Sequence, residues 1–298
     1  MEKNIETKRS FLPGTNWLYY KIYGGWKSLD WIVVNELYTI TSYLKKHKYI
    51  DKWFFIRYND PDPHLRVRFY IKNLENLSSV IIYLGNRFDV LHENKIISKV
   101  QIDTYKQEIE RYGGNSLIAT AESLFFLDSE CTVRLLRIIT KSKDENYRWL
   151  AALKIVDSYL STFSFSLSEK QVFVSSRLSK MKTEFGYNEY NYKQINSLFR
   201  KHRISIETVF SPKLDETMTL LFQEISRTSK LLSRLIPVIQ KDLAHHEELN
   251  IDQLLTSYLH MMINRLFIGK NLIHELVIYD FMSRYYLSRL ARDKKNID

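Results

Sequence analysis

With 298 residues and 45% hydrophobic side chains, the chain has apolar material for one large core or two modest ones, which excludes a disordered polypeptide. A formal net charge of +10 favours acidic partners as a class, whether nucleic acid, an anionic surface or an acidic peptide, without choosing among them. Cys131 is the one cysteine, so no internal disulfide framework exists. The thiol reads as a small buried hydrophobe in a cytoplasmic protein. The charged N-terminus MEKNIETKRS lacks a signal-peptide core, and no later stretch supplies the roughly 18 uninterrupted apolar residues of a bilayer span.

In chain order, WLYYKIY (17–23) is aromatic and β-favouring and stops at Gly24-Gly25. A helix is predicted from Asp30, a suitable N-cap, through DWIVVNELYTITSYLKKHK to a basic last turn. WFFIRY and LRVRFYI flank NDPDPH, whose prolines and acids are turn chemistry, so a hairpin or a pair of neighbouring strands is expected. LENLSSVIIYLGNRFDVLHE reads as a helix and ISKVQIDTYKQE as a further strand. Beyond Gly113-Gly114 the period becomes helical through SLIATAESLFFL, CTVRLLRIIT, NYRWLAALKIVDSYL, the segment around 190–207, LDETMTLLFQEISRTSKLLSRLIPVIQKDL, IDQLLTSYLHMMINRLFI and HELVIYDFMSRYYLSRL. No repeat or Gly/Ser/Pro linker divides the chain. Residues 1–298 are therefore expected to form a single α+β domain: a small N-terminal β-sheet with flanking helices (1–114) packed on a predominantly helical part (115–298).

Common chemical signatures are missing. FIGKN (267–271) lacks the upstream glycine of a phosphate loop, no G-x-G-x-x-G follows a strand, and HEXXH and G-x-S-x-G are absent. The run His245-His246-Glu247-Glu248 reads as the solvated polar end of a long helix rather than a metal site. Three clusters remain. In LRVRF, alternation places Arg66 and Arg68 on one strand face and Leu65, Val67 and Phe69 on the other, and Arg57 on the preceding strand is expected to join the two cations. EIERYGG sets Glu108 and Arg111 three residues apart before a glycine pair that permits close backbone approach. SYLHMMINRLF places His260 and Asn264 one helical turn apart, with Arg265 beside them. Each has a bland counterpart: edge-strand arginines that discourage aggregation, a surface ion pair, a satisfied core histidine. Together they supply guanidinium groups, a carboxylate and an imidazole, a set able to bind an acidic group and move a proton.

The stretches FLPGTNWLYYKIYGG, WFFIRYNDPDPHLRVRF, YKQEIERYGG and SYLHMMINRLFI, in this order and spacing, resemble the elimination domain of class I lanthipeptide dehydratases, the nisin dehydratase type, over nearly the whole chain. The resemblance implies an enzyme, a lyase that expels glutamate from glutamylated Ser or Thr of a ribosomal precursor peptide to leave dehydroalanine or dehydrobutyrine. It assigns catalysis to Arg66, Arg68, Glu108, Arg111 and His260; Arg57, Asn264 and Arg265, which stand beside these residues in the clusters, are expected as substrate contacts. It implies no metal and no cofactor of this chain's own, because a separate glutamylating subunit uses glutamyl-tRNA. A downstream cyclase fits the same pathway, direct DNA binding is not expected, and a homodimer is compatible. Two alternatives stay open: a thiopeptide pyridine synthase performing a formal [4+2] cycloaddition on a dehydrated peptide, and a non-catalytic basic module that binds peptide or tRNA for a glutamylating partner.

Overall fold

Alternating side chains in residues 17–23 and 52–70 form the strands that they predict. The computed structural model describes residues 8–245 and 250–295. His246, Glu247 and Glu248 lie outside the described residues, and of His245 only the helical backbone is described. The chain divides into two compact units, Met1–Arg134 with Pro237–Ser257, and Leu135–Ile236 with Tyr258–Asp298.

The first unit holds both sheets. Strands β1 (Ser10–Phe11), β2 (Trp17–Tyr23), β3 (Lys52–Asn59), β4 (Pro63–Tyr70), β5 (Lys99–Asp103) and β6 (Tyr105–Lys106) make a four-stranded antiparallel sheet, ordered β3-β4-β2-β5, and a two-stranded ribbon of β1 and β6. Register fixes the faces. Leu65 lies opposite Ile22 and Arg57, Val67 opposite Tyr20 and Phe55, and Phe69 opposite Leu18 and Trp53. This apolar face is fully buried at Leu65, Val67 and Phe69. It is covered by a composite helix, α1 (Trp26–Trp31), a π-helical turn (Ile32–Leu37) and α2 (Tyr38–Lys46), and by α3 (Leu77–Glu93), whose Phe88 ring meets Tyr20 edge-on at 5.3 Å. Burying three large apolar side chains on one strand is worth about 1.5–3 kcal/mol each.

The composite helix starts at Trp26, a turn before the predicted cap. Gly25 occupies the cap position, and Asp30 lies inside the helix, where its carboxylate accepts from Arg57 Nη2 at 2.6 Å. Helix α4 (Gly114–Ser142) joins two predicted segments into one and closes the outer edge of β3: Ser129 Oγ accepts from the Phe55 N–H at 3.2 Å and Glu130 from Trp53 Nε1 at 2.7 Å. Gly113 turns the chain into α4 at φ 88°, and a Cβ there would meet Leu117 Cδ1 at 2.6 Å. The close approach that the glycine pair permits is thus to the helix's own first turn.

The second unit is helical. Helices α5 (Asn146–Thr162), α6 (Leu167–Glu184), α7 (Glu189–Val209), α8 (Glu216–Leu232) and α11 (Asn271–Lys295) lie in it, with α11 along α6 and α5 along α8. α6 escaped the periodicity reading, although Ser166 and Glu169 form a reciprocal capping box at its start. The predicted long helix from Leu214 breaks at residues 233–235, ahead of Pro237, into α8 and α9 (Ile236–His245). α10 (Ile251–Leu266) carries His260. The architecture is α+β, as the sequence predicts, and among the described residues no helix is long and apolar enough to cross a membrane.

Candidate active site

The second face of the sheet carries a different population. From β4 it receives His64, Arg66 and Arg68; from β2, Tyr19 and Lys21; from β3, Phe54, Ile56 and Tyr58; from β5, Gln101 and Asp103. Arg66 and Arg68 therefore do share a face. Arg57 does not join them: it lies opposite Leu65, on the helix-covered face, 3% exposed and bound to Asp30. The parity of the hairpin register decides this, since directly opposed residues point the same way.

Arg68 is 8% exposed and caged by rings, its Cζ 4.4 Å from the centroid of Tyr19, 4.8 Å from Tyr105 and 5.1 Å from Phe54. Its buried Nε has no hydrogen-bond partner among the described residues. Arg66 lies flat on Tyr58, 3.4 Å from Cζ to the ring centre, and its Nε donates to His64 Nε2 at 3.1 Å. His64 Nδ1 meets the Asp62 carbonyl at 2.8 Å, which fixes a neutral tautomer with the proton on Nδ1. Burial, reinforced by the neighbouring Arg66 and Lys21, pulls the His64 imidazole below its ordinary pKa. Neither Arg66 nor Arg68 makes an ion pair with a carboxylate among the described residues, whereas Lys21 binds Asp103 at 2.5 Å. Two cations two residues apart on one strand normally repel or recruit an anion.

Behind the cage lies a buried carboxylate. Glu122 of α4 accepts from Tyr105 Oη at 2.9 Å and Gln107 Nε2 at 2.6 Å, with Lys52 Nζ 3.8 Å away. Burial pushes the Glu122 carboxyl up, opposed by those donors, and pushes the Tyr105 phenol well above its usual range.

Glu108 and Arg111 form the expected pair, 3.0 Å apart and largely exposed, with Arg111 in the 3₁₀ turn between β6 and α4 and Glu108 just ahead of it. No hydrogen bond or ion pair joins them to Arg68 among the described residues, but a run of rings leads there. Arg111 lies 5.4 Å from Tyr112, Tyr112 4.8 Å from Phe125, and Phe125 5.4 Å from Phe54.

In the second unit, His260 Nδ1 lies 2.8 Å from Glu275 Oε2 of α11. Glu275 is fully buried, while the imidazole keeps 28% of its side-chain surface open. A proton held on Nδ1 toward the carboxylate turns Nε2 outward as an acceptor, the arrangement of an oriented proton-transfer group. Asn264 is half-buried. Arg265 is wholly buried, which removes it from any surface that a peptide reaches. Among the described residues, no three His, Cys, Asp or Glu side chains converge as metal ligands would.

Residues 17–286 match the family described as lantibiotic biosynthesis dehydratase C-term. The chain belongs to this family. Its curated relatives include the subtilin biosynthesis protein SpaB of Bacillus subtilis, 32% identical over 62% of this chain and 18% of SpaB. The nisin biosynthesis protein NisB of Lactococcus lactis subsp. lactis is 26% identical over 96% of this chain and 27% of NisB. The chain thus spans about a quarter or less of the length of these relatives. Among solved structures, the tRNA-dependent lantibiotic dehydratase MibB from Microbispora sp. 107891 superposes with a TM-score of 0.70 at 20% identity over 94% of this chain and 29% of MibB. The pyridine synthase TbtD from thiomuracin biosynthesis superposes with a TM-score of 0.59 at 12% identity, covering 91% of this chain and 99% of TbtD. Both likenesses show a shared fold. For this lantibiotic dehydratase C-terminal domain, sequence reasoning named the arginines and His260 but missed the groups that hold them. His64 was visible, since the alternation that pairs Arg66 with Arg68 extends back to it. Glu275 was visible as an acid at the edge of the apolar run LVIY (276–279). The Tyr19–Phe54–Tyr105 cage comes from three strands and had no local signal.

Proposed function

We propose that this chain eliminates glutamate from glutamylated Ser and Thr of a ribosomally made precursor peptide, leaving dehydroalanine or dehydrobutyrine. The observation that carries this reading is the pair Arg66 and Arg68, side by side on one sheet face with no carboxylate ion pair among the described residues. A guanidinium fork takes a carboxylate in two parallel hydrogen bonds, and a low-dielectric cage strengthens that attraction. Arg68 therefore offers a departing glutamate a partner that the fold itself does not occupy.

In the reaction, a base removes the Cα proton of the esterified residue, the electron pair forms the Cα–Cβ double bond, and the Cβ–O bond breaks toward the glutamate carboxylate. Arg66 and Arg68 take up the negative charge on the leaving group. Arg111, oriented by Glu108, offsets charge that develops on the adjacent amide, and His260, oriented by Glu275, moves the proton. The scheme draws on no metal or cofactor.

A second reading, cycloaddition by a pyridine synthase, is supported by the likeness to TbtD over nearly all of that chain. The substrate separates the two. Glutamylated peptide incubated with the chain should lose glutamate by mass spectrometry, and the Arg68→Ala and His260→Ala variants should leave the glutamylated species standing. Release of glutamate by both variants refutes the assignment. Macrocycle formation from a dehydrated peptide, with no action on the ester, selects the synthase.

A further inference from the structure

Asp103 is out of character on the cationic face. A site built only to hold an anion gains nothing from a carboxylate beside Lys21, Arg66 and Arg68, because it weakens the field that they make. Its position is specific. Across the strands runs a row Phe54, Arg68, Tyr19, Asp103, all on one face. Adjacent strands lie about 4.8 Å apart, so the Arg68 and Asp103 backbones stand roughly 10 Å apart with Tyr19 between them. Arg68 Cζ is 4.4 Å from the centroid of that ring, and Lys21 Nζ, which binds Asp103 at 2.5 Å, is 5.9 Å from it. In the register Tyr19 thus stands between a cationic residue and an acidic one.

Asp103 has acceptor capacity left. One oxygen takes Lys21 and the other the Thr104 N–H at 2.7 Å, while 42% of the side chain remains open. An ionised carboxylate offers about four lone-pair sites. The hydrogen bond from Lys21 holds the Asp103 carboxyl below its ordinary range, which keeps it ionised at neutral pH. A glutamyl ester, whichever carboxyl forms the ester, retains one carboxylate and one ammonium. Two arginines alone do not distinguish it from any other acidic acyl group; a row with both poles does.

We propose that Asp103 receives the α-ammonium of the glutamyl group while Arg66 and Arg68 hold its carboxylates, the free one and the one released as the Cβ–O bond breaks, so that Asp103 is a specificity-determining residue of this site. The inference rests on the elimination reading. The competing role for Asp103 is to neutralise Lys21, which lies directly opposite Arg66.

The two roles separate in titration calorimetry of the whole chain with L-glutamate and with glutarate, which has both carboxylates and no ammonium. The wild type should bind glutamate about tenfold more tightly than glutarate, the scale of one hydrogen bond between charged groups. Asp103→Asn should bind the two alike, with glutarate no weaker than in the wild type. Equal binding of both ligands by the wild type overturns the proposal even before a variant is made. So does a variant that tightens both equally and keeps their ratio, which is the signature of a neutralising role because Lys21 is then left uncompensated, and so does a wild type that binds neither. Glutamate release from a glutamylated peptide, measured on the same wild-type preparation, locates the failure. If release occurs, only the ammonium assignment falls; if none occurs, the elimination reading falls with it.

Discussion

Arg57 and Arg68 are similarly hidden, 3% and 8% exposed, yet opposite consequences are expected when each is cut to alanine. Arg57 is a partner in a buried ion pair, and removing it takes that cation from the Asp30 carboxylate, itself 15% exposed. Removing one member of such a pair costs about 3–5 kcal/mol. Arg68 contributes three cation–ring contacts of about 0.5–1 kcal/mol each. Against this, its removal relieves a buried donor with no acceptor, a burden of about 1–3 kcal/mol. The two nearly cancel, leaving a net change of about 1 kcal/mol in either direction. Urea unfolding followed by the fluorescence of Trp17 and Trp53 reads the stability, and glutamate release from glutamylated peptide reads the activity. Arg57→Ala should unfold at markedly lower urea yet retain activity per folded molecule. Arg68→Ala should unfold near the wild type and release no glutamate. Equal destabilisation by both variants, or an active Arg68→Ala, would refute the reasoning that separates the two faces.

Glu275→Gln should lower kcat for elimination about 10- to 100-fold with little change in KM, because the imidazole loses its orienting carboxylate but substrate contacts stay; steady-state kinetics checks this. His64 has a folded-state pKa below its unfolded one, so the unfolded chain takes up the proton first. Stability is complete above the ordinary histidine range and falls as pH drops below about 6.5. His64→Gln should flatten that acid limb in unfolding experiments run from pH 7.5 down to 5.5. Gly113→Ala combines a left-handed φ with a 2.6 Å clash on Leu117 and should cost about 1–3 kcal/mol, read as a lower urea midpoint.

The strands, the hairpin and most helices were legible because side-chain period is a local property. What failed was non-local or depended on one residue's phase. Arg57 was grouped with Arg66 and Arg68 by proximity along the hairpin, but Asn59 pairs with Pro63, and that closure puts every odd-numbered residue of β3 opposite an odd-numbered residue of β4. Asp30 has the chemistry of a helix cap, and only the fold reveals that its carboxylate is engaged by Arg57. α6 was too polar for its apolar stripe to stand out, though its capping box was readable. The arginines of the site were legible as residues. That no carboxylate among the described residues pairs with them, which gives them meaning, is a property of three-dimensional surroundings.

β4 lies inside the sheet, hydrogen-bonded to β3 on one side and β2 on the other along its whole length. The backbones beneath Arg66 and Arg68 are accordingly anchored before any ligand arrives. Their stems rise from a fixed platform, and ring contacts narrow the rotamers that remain. The ordering cost that a loop-borne pair of arginines would meet on capture, about 0.5–1.5 kcal/mol for each long side chain, is largely met when the protein folds. Affinity for an anion at this face should consequently owe more to preorganisation than to the number of contacts made.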